Sequence, residues 1–199
     1  MKISNFTIAT RLIVSFLMVI LIMGGATTYQ IVQMKYLSEL YNKSIIRNKD
    51  AVAVKDISIR LEELYSIIAD AIINRNLEES RKLFHQAKLD AQKDIASVKG
   101  MSDTTEEKAW AEMFSEKYQT YINIFEDQLF PILKENSEKN TERIRELDDQ
   151  VDTVRETAKA LLNNISQSFS KEEEEADALF VSTHQQTIRL AVILTVSAY

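Results

Sequence analysis

Three glycines and one proline are all the chain-breaking residues in 199 positions. Sheet reversals and the tight turns of loop-rich enzymes need backbone at positive φ or at a locked φ, and glycine and proline supply both at least cost. A chain with so few of either is committed to helix, in few and long pieces. Charge patterning agrees: 27% of residues are Asp, Glu, Lys or Arg, of both signs, and the net charge is −6. That composition suits solvated helix faces and offers no basic footprint for a phosphate backbone, so nucleic acid is not an expected partner. Cysteine is absent, which excludes disulfides, thiolate nucleophiles and cysteine-ligated metals.

From Leu12 to Met34 no residue carries a charge, and Leu12 to Met23 is apolar apart from Ser15. About 20 apolar residues cross a bilayer core at ~1.5 Å of rise each, so this stretch reads as a membrane span. The alternative is a cleaved signal peptide, but its apolar region is typically about 7–15 residues and closes on a small-residue cleavage site. Here the run passes straight into a helical pattern at Ile31, Met34, Leu37, Tyr41 and Ile45. Lys2 and Arg11 precede the span and place the N-terminus in the cytoplasm. At the other end, Leu190 to Tyr199 is uncharged and largely apolar, too short to cross a bilayer, and is expected to open a second span. The expected organisation is a cytoplasmic start (1–11), a first span (12–34), an extracytoplasmic helical domain (35–186) and the start of a second span (187–199).

Residues 35–186 hold all 30 acidic residues and all but three of the 24 basic ones. Four helices can be read in this region. Helix one carries Ile57, Leu61, Leu64, Ile68 and Ile72 at the three-and-four spacing of a packed seam and breaks at Asn74-Arg75-Asn76. Asn76 is positioned to cap helix two together with Glu79. Helix two carries Phe84, Ala87, Ala91, Ile95 and Val98 and is expected to end at Gly100. Thr104 and Glu107 form a capping box that opens helix three, whose stripe is Trp110, Phe114, Tyr118, Tyr121, Phe125, Leu129 and Ile132. Pro131 is expected to end or kink that helix. Helix four has the most regular seam, Ile144, Leu147, Val151, Val154, Ala158, Leu161 and Ile165, and runs without a breaker towards the second span. Short connections make consecutive helices antiparallel neighbours. The expected fold is all-α: an antiparallel up-down-up-down four-helix bundle, membrane-anchored, with its first and last helices continuous with the spans.

The opening ISNFTIATRLIVSFLMVILIMG, the loop INRNLEES and the terminal QQTIRLAVILTVSAY together resemble the N-terminal part of bacterial methyl-accepting chemotaxis proteins, which carries a four-helix-bundle sensor domain. The resemblance implies a chemoreceptor of the bacterial inner membrane, with residues 35–186 periplasmic, that acts as a homodimer and signals inward by helix displacement. Its implied partners are a small-molecule ligand or a periplasmic binding protein on the outside, and cytoplasmic signalling proteins reached through a C-terminal part beyond Tyr199. The same module also precedes histidine kinases and cyclic-di-nucleotide cyclases, and a ligand-free structural helical protein is a third reading. Amino-acid receptors of the family hold their ligand with three arginines on helix one, five and four residues apart. Arg60 can take the first of those places, but Tyr65 and Ala69 take the next two, so that clamp is not expected here.

Catalysis finds no support: His85 and His184 lack partners at helical spacing, and the many carboxylates read as solvated faces. No catalytic residue, metal or cofactor is expected. The aromatic stripe of helix three reads as core, with Tyr118 and Tyr121 able to offer hydroxyls at its edge. Helix counting at ~1.5 Å per residue puts Arg60 and the stretch of helix four from Thr153 at one height. Arg60, Tyr65, Thr153, Arg155 and Thr157 are therefore the candidate ligand-binding residues, a set that suits a small carboxylate. The bland alternative for Arg60 is an exposed side chain paired with Glu63 or Asp56. The same counting sets Lys43, Arg47 and Lys49 level with Glu172 to Glu175, so these runs are candidates to pair across helices one and four.

Overall fold

The computed structural model describes residues 7–135 and 137–196; Lys2 and the last residues of the expected second span, 197–199, lie outside the described residues. The chain is all-α. Its elements are α1 (Ile8–Ile73), α2 (Leu77–Met101), α3 (Thr105–Asn123), a π-helical stretch (Ile124–Leu129), α4 (Phe130–Glu135), a 3-10 turn (Glu138–Asn140) and α5 (Thr141–Val196). No strand occurs among the described residues. Helix three of the sequence is thus α3, the π-helical stretch and α4 in succession.

The helix ends follow local chemistry. α1 stops after Ile73, and Arg75 takes a left-handed φ of 56° in the turn to α2. The Asn76 side chain does not cap α2; its amide donates instead to the Glu79 carboxylate at 2.5 Å. α2 does not end at Gly100 but runs one residue further. Ser102 supplies the stop, since both its backbone N–H and its hydroxyl donate to the Val98 carbonyl, at 3.2 and 2.8 Å. The capping box is present in full: the Thr104 hydroxyl accepts from the Glu107 N–H while the Glu107 carboxylate accepts from the Thr104 N–H. The expected stop or kink at Pro131 takes the form of a change of ladder. Proline has no N–H to return to the carbonyl four residues back. Just ahead of it the bonds lengthen to five residues, with the Phe130 N–H donating to the Phe125 carbonyl. Helix three therefore continues past the proline, with Leu129 and Leu133 both buried.

The chain divides into two compact units, Met1–Ile45 with Glu174–Tyr199, and Ile46–Glu173. In the first, α1 carries an 18-residue window of mean hydropathy 2.2 that no protein element covers. From Leu12 to Met23 the large apolar side chains are 51–73% exposed. Ser15, Thr27 and Thr28 turn their hydroxyls back onto carbonyls of their own helix at 2.9 Å, so they present no unmet donor in this apolar stretch. Further along, Leu37, Leu40 and Ala176 are buried. There Tyr41 meets Phe180, Phe180 stacks on His184, and the Ser44 hydroxyl donates to Asp177.

The second unit holds one hydrophobic core fed by every long helix. Ile57, Leu61, Leu64 and Ile68 of α1 pack with Phe84, Ala91 and Val98 of α2, with the helix-three stripe, and with Leu147, Val151, Ala158 and Ile165 of α5. The aromatic stripe is core as read from its spacing: Phe114, Tyr118, Tyr121 and Phe125 are each at most 1% exposed. A fully buried side chain of this size stabilises by roughly 1.5–3 kcal/mol, so the stripe is the largest apolar investment in the fold.

Candidate functional site

Two arginines organise the polar chemistry of the second unit. Arg155, on α5, lies over the ring of Tyr65 on α1, with its guanidinium carbon 4.0 Å from the ring centre. Its NH1 donates to Glu62 at 3.2 Å, its NH2 donates to Glu156 at 2.9 Å, and NH2 is 3.4 Å from Asp152. Lys159 adds a second cation on Glu62 at 2.8 Å. Burial followed by the Asp152 charge raises the Tyr65 phenol above its ordinary value. Burial and the charges of Asp152 and Asp149 likewise raise the Asp148 carboxyl.

From helix three, Tyr121 reaches the same neighbourhood. It is fully buried, which pushes its phenol well above the ordinary value, and the charges of Arg155 and Glu62 act on it. Among the described residues, the buried side-chain atoms with no hydrogen-bond partner are Arg47 NH2, the Tyr121 hydroxyl, Arg155 Nε and Asp152 Oδ1, of which Arg47 NH2 and Asp152 Oδ1 are held in ion pairs, with Asp103 and with Arg155 NH2. A groove of about 340 Å³ between α1 and α5 is lined by Val54, Lys55, Ser58, Leu162 and Asn163, with Glu156 and Lys159 common to groove and cluster.

Of the five residues the sequence singles out, Tyr65 and Arg155 are brought into contact. Arg60 is held elsewhere. Its Nε and NH2 donate to both oxygens of Asp94 on α2 at 2.6–3.1 Å, and that bond raises the already basic guanidinium further. The partner is neither Glu63 nor Asp56 but a buried carboxylate from the next helix. Thr153 and Thr157 turn their hydroxyls back onto the α5 backbone, at Asp149 and Thr153.

The second arginine is Arg47 of α1, 4% exposed. Its Nε donates to Glu172 of α5 at 3.0 Å, and its NH1 donates to Asp50 at 3.2 Å and to the Met101 carbonyl at 2.9 Å. NH2 meets Asp103 as an ion pair rather than an aligned hydrogen bond. The guanidinium also lies 4.8 Å from the centre of the Phe169 ring. Of the expected charge pairing, the Arg47–Glu172 contact is present. Burial lowers the Arg47 pKa, but Glu172, Asp103 and Glu107 outweigh it and the net shift is upward.

Glu107, fully buried, supports the same cluster by accepting from Ser168 at 2.7 Å while it caps α3. Burial would raise its carboxyl, but the bonds from Ser168, Thr104 and Asp103 overcome this and lower it. Asp50 moves the other way, raised because burial outweighs its bond to Arg47. Asp103, Glu107 and Glu172 bring carboxylate oxygens within 4.8 Å of one another, a set able to hold a cation, and Arg47 supplies that charge.

Comparison with protein families, with curated proteins and with solved structures gave no match.

Proposed function

We propose that this chain is the sensory part of a bacterial transmembrane chemoreceptor, resembling methyl-accepting chemotaxis proteins. In this reading α1 anchors it in the inner membrane, and residues 35–186 form a periplasmic up-down-up-down four-helix bundle. The bundle takes a small solute, or a periplasmic binding protein carrying one. The observation that carries the reading is α1 itself, one uninterrupted helix of 66 residues. Its first third is apolar and uncovered by protein, and its last third is the spine of a packed core. Apolar surface left in water costs about 25 cal/mol per Å², so an uncovered run of that length belongs in lipid.

Three further observations support it. Contacts between α1 and α5 run in opposite order along the two helices, Arg47 with Glu172, Ala51 with Ser166 and Glu62 with Arg155, as antiparallel neighbours require. Val52, Ile59 and Ile73 stand exposed on one seven-residue register of α1, a stripe suited to a parallel homodimer. Continuous packed helices also move as units between discrete arrangements, which suits a signal carried by α5 sliding against α1. A solute shifts that balance only by its difference in affinity for the two arrangements.

Reporter fusions test the reading. A fusion after Met101 is expected to be active in the periplasm and one after Lys2 in the cytoplasm. A reporter after Met101 that works in the cytoplasm would end the receptor proposal.

A further inference from the structure

We propose that the cleft between the end of α1 and the start of α2 takes a small aliphatic amine in its ammonium form. The inference rests on reading the chain as a solute sensor and deepens it by naming a solute class and a place for it. The cleft has a volume of about 420 Å³, room enough for a small organic molecule. It lies where α1 stops at Ile73 and α2 begins at Leu77, so its walls come from the two sides of one chain reversal. Two carboxylates line it, Asp70 from α1 and Glu79 from α2, and no lysine or arginine among the described residues does. Each carboxylate is met by a neutral group: the Asn74 amide donates to Asp70 and the Asn76 amide to Glu79, both at 2.5 Å. The basic side chains next along α2 have other partners. Arg81 lies over the Phe130 ring, and Lys82 pairs with Glu78.

The lining decides the class. An anion would face two carboxylates with no cation to offset them. A bare ion such as calcium wants about six to eight oxygens close around it. Here one oxygen of each carboxylate is already engaged with an asparagine. The cleft is also partly apolar, with Ile67 of α1 and Leu83 of α2 in its walls. An alkylammonium answers both features. Its N–H groups can donate to the two carboxylates and to the hydroxyl of Ser80, while its chain covers Ile67 and Leu83. Ser80 is buried and its hydroxyl already donates to the Asn76 carbonyl, so what it has left to offer is a lone pair. An occupant joins α1 to α2 at the far end of the helix whose other end is the uncovered apolar stretch.

The test uses the full chain in micelles of an uncharged detergent at neutral pH, with butylamine, butanol, butyrate and calcium chloride as probes. The first three share a short alkyl chain and differ in the charge of the head. The readout is the side-chain amide resonances of Asn74 and Asn76, identified by their loss in Asn74→Ala and Asn76→Ala. Butylamine is expected to move both resonances saturably, and the other three probes to leave them in place. Asp70→Asn and Glu79→Gln keep the side-chain shape and remove one charge each. Each should weaken butylamine binding about tenfold, the worth of one charge-assisted hydrogen bond. If butylamine moves neither resonance, the cleft holds water only and the proposal fails. Butanol acting as strongly as butylamine would show that charge plays no part, and calcium chloride doing so would show a site for any cation; either overturns it. Unchanged butylamine binding in both variants overturns it as well, by removing the carboxylates from the site. Each of these failures leaves the receptor reading standing, because the reporter fusions test topology with no solute present.

Discussion

Arg47, buried, and Arg155, part-buried, are both stacked on an aromatic ring and surrounded by acids, yet their surroundings differ in completeness. Every nitrogen of Arg47 meets a carboxylate or a carbonyl, and of its acids Asp50 and Glu172 are only 18% and 17% exposed while Asp103 is 65% exposed. Arg155 leaves Nε unmet, and its acids Glu62, Asp152 and Glu156 are 37%, 45% and 59% exposed. The first cluster joins α1, the end of α2, the start of α3 and α5 through charges that, Asp103 apart, are largely shielded from water. The second joins helices through charges that can rehydrate. Breaking one partner of a buried pair strands an uncompensated charge, whereas exposed pairs are worth little. Arg47 therefore fixes the packing, and Arg155 is free to respond.

Arg47→Ala gives the largest expected effect. It leaves Asp50, Glu107 and Glu172 facing one another without a cation, and a loss of about 3–5 kcal/mol in denaturant unfolding is expected. A loss under about 1 kcal/mol would place Arg47 among ordinary surface charges.

Glu107→Gln comes next, at about 1–3 kcal/mol, because it weakens the Ser168 bond and the cap of α3 together. Its pH behaviour sharpens the comparison. The folded Glu107 carboxyl lies below the ordinary value of 4.5. Its contribution is therefore present above that pH and is lost as the pH falls through and below it. Asp50, raised on folding, opposes this by favouring the protonated form at low pH. A stability profile recorded below pH 5 is expected to fall less steeply in Glu107→Gln than in the parent, and identical slopes would contradict the assignment.

Arg155→Ala is the smallest of the three. Its acids are half-exposed and Nε makes no bond, so about 1–2 kcal/mol is expected, mostly from lost packing on Tyr65. A cost equal to that of Arg47→Ala would erase the distinction between the two clusters.

Much of the fold was legible because it is local. The seams follow from period, and the Thr104–Glu107 box follows from a three-residue spacing that only a helix start makes useful. Where prediction and structure part, a competing local group won. At the end of α2 the Ser102 hydroxyl satisfies the Val98 carbonyl, so Gly100 stays inside the helix. At Pro131 a longer-ring ladder absorbed the missing donor. The polar clusters were only half legible, because their partners are distant in sequence. Arg60 finds Asp94, 34 residues on, in place of an acid on its own helix, and Asp103 and Glu107 join Arg47 from a loop and a cap. Tyr121 carried one usable signal: a phenol at a seam position brings a hydroxyl into the core that needs a partner.

Hydrogen exchange of the two arginine Nε–H groups, read in one spectrum of the solute-free protein, tests the distinction most directly. Arg47 Nε–H, bonded to Glu172, is expected to be protected, and Arg155 Nε–H, without an acceptor, to exchange at least tenfold faster, as the loss of about one charge-assisted bond requires. Equal protection at the two positions would contradict the account, because a fully satisfied Arg155 would be a second anchor.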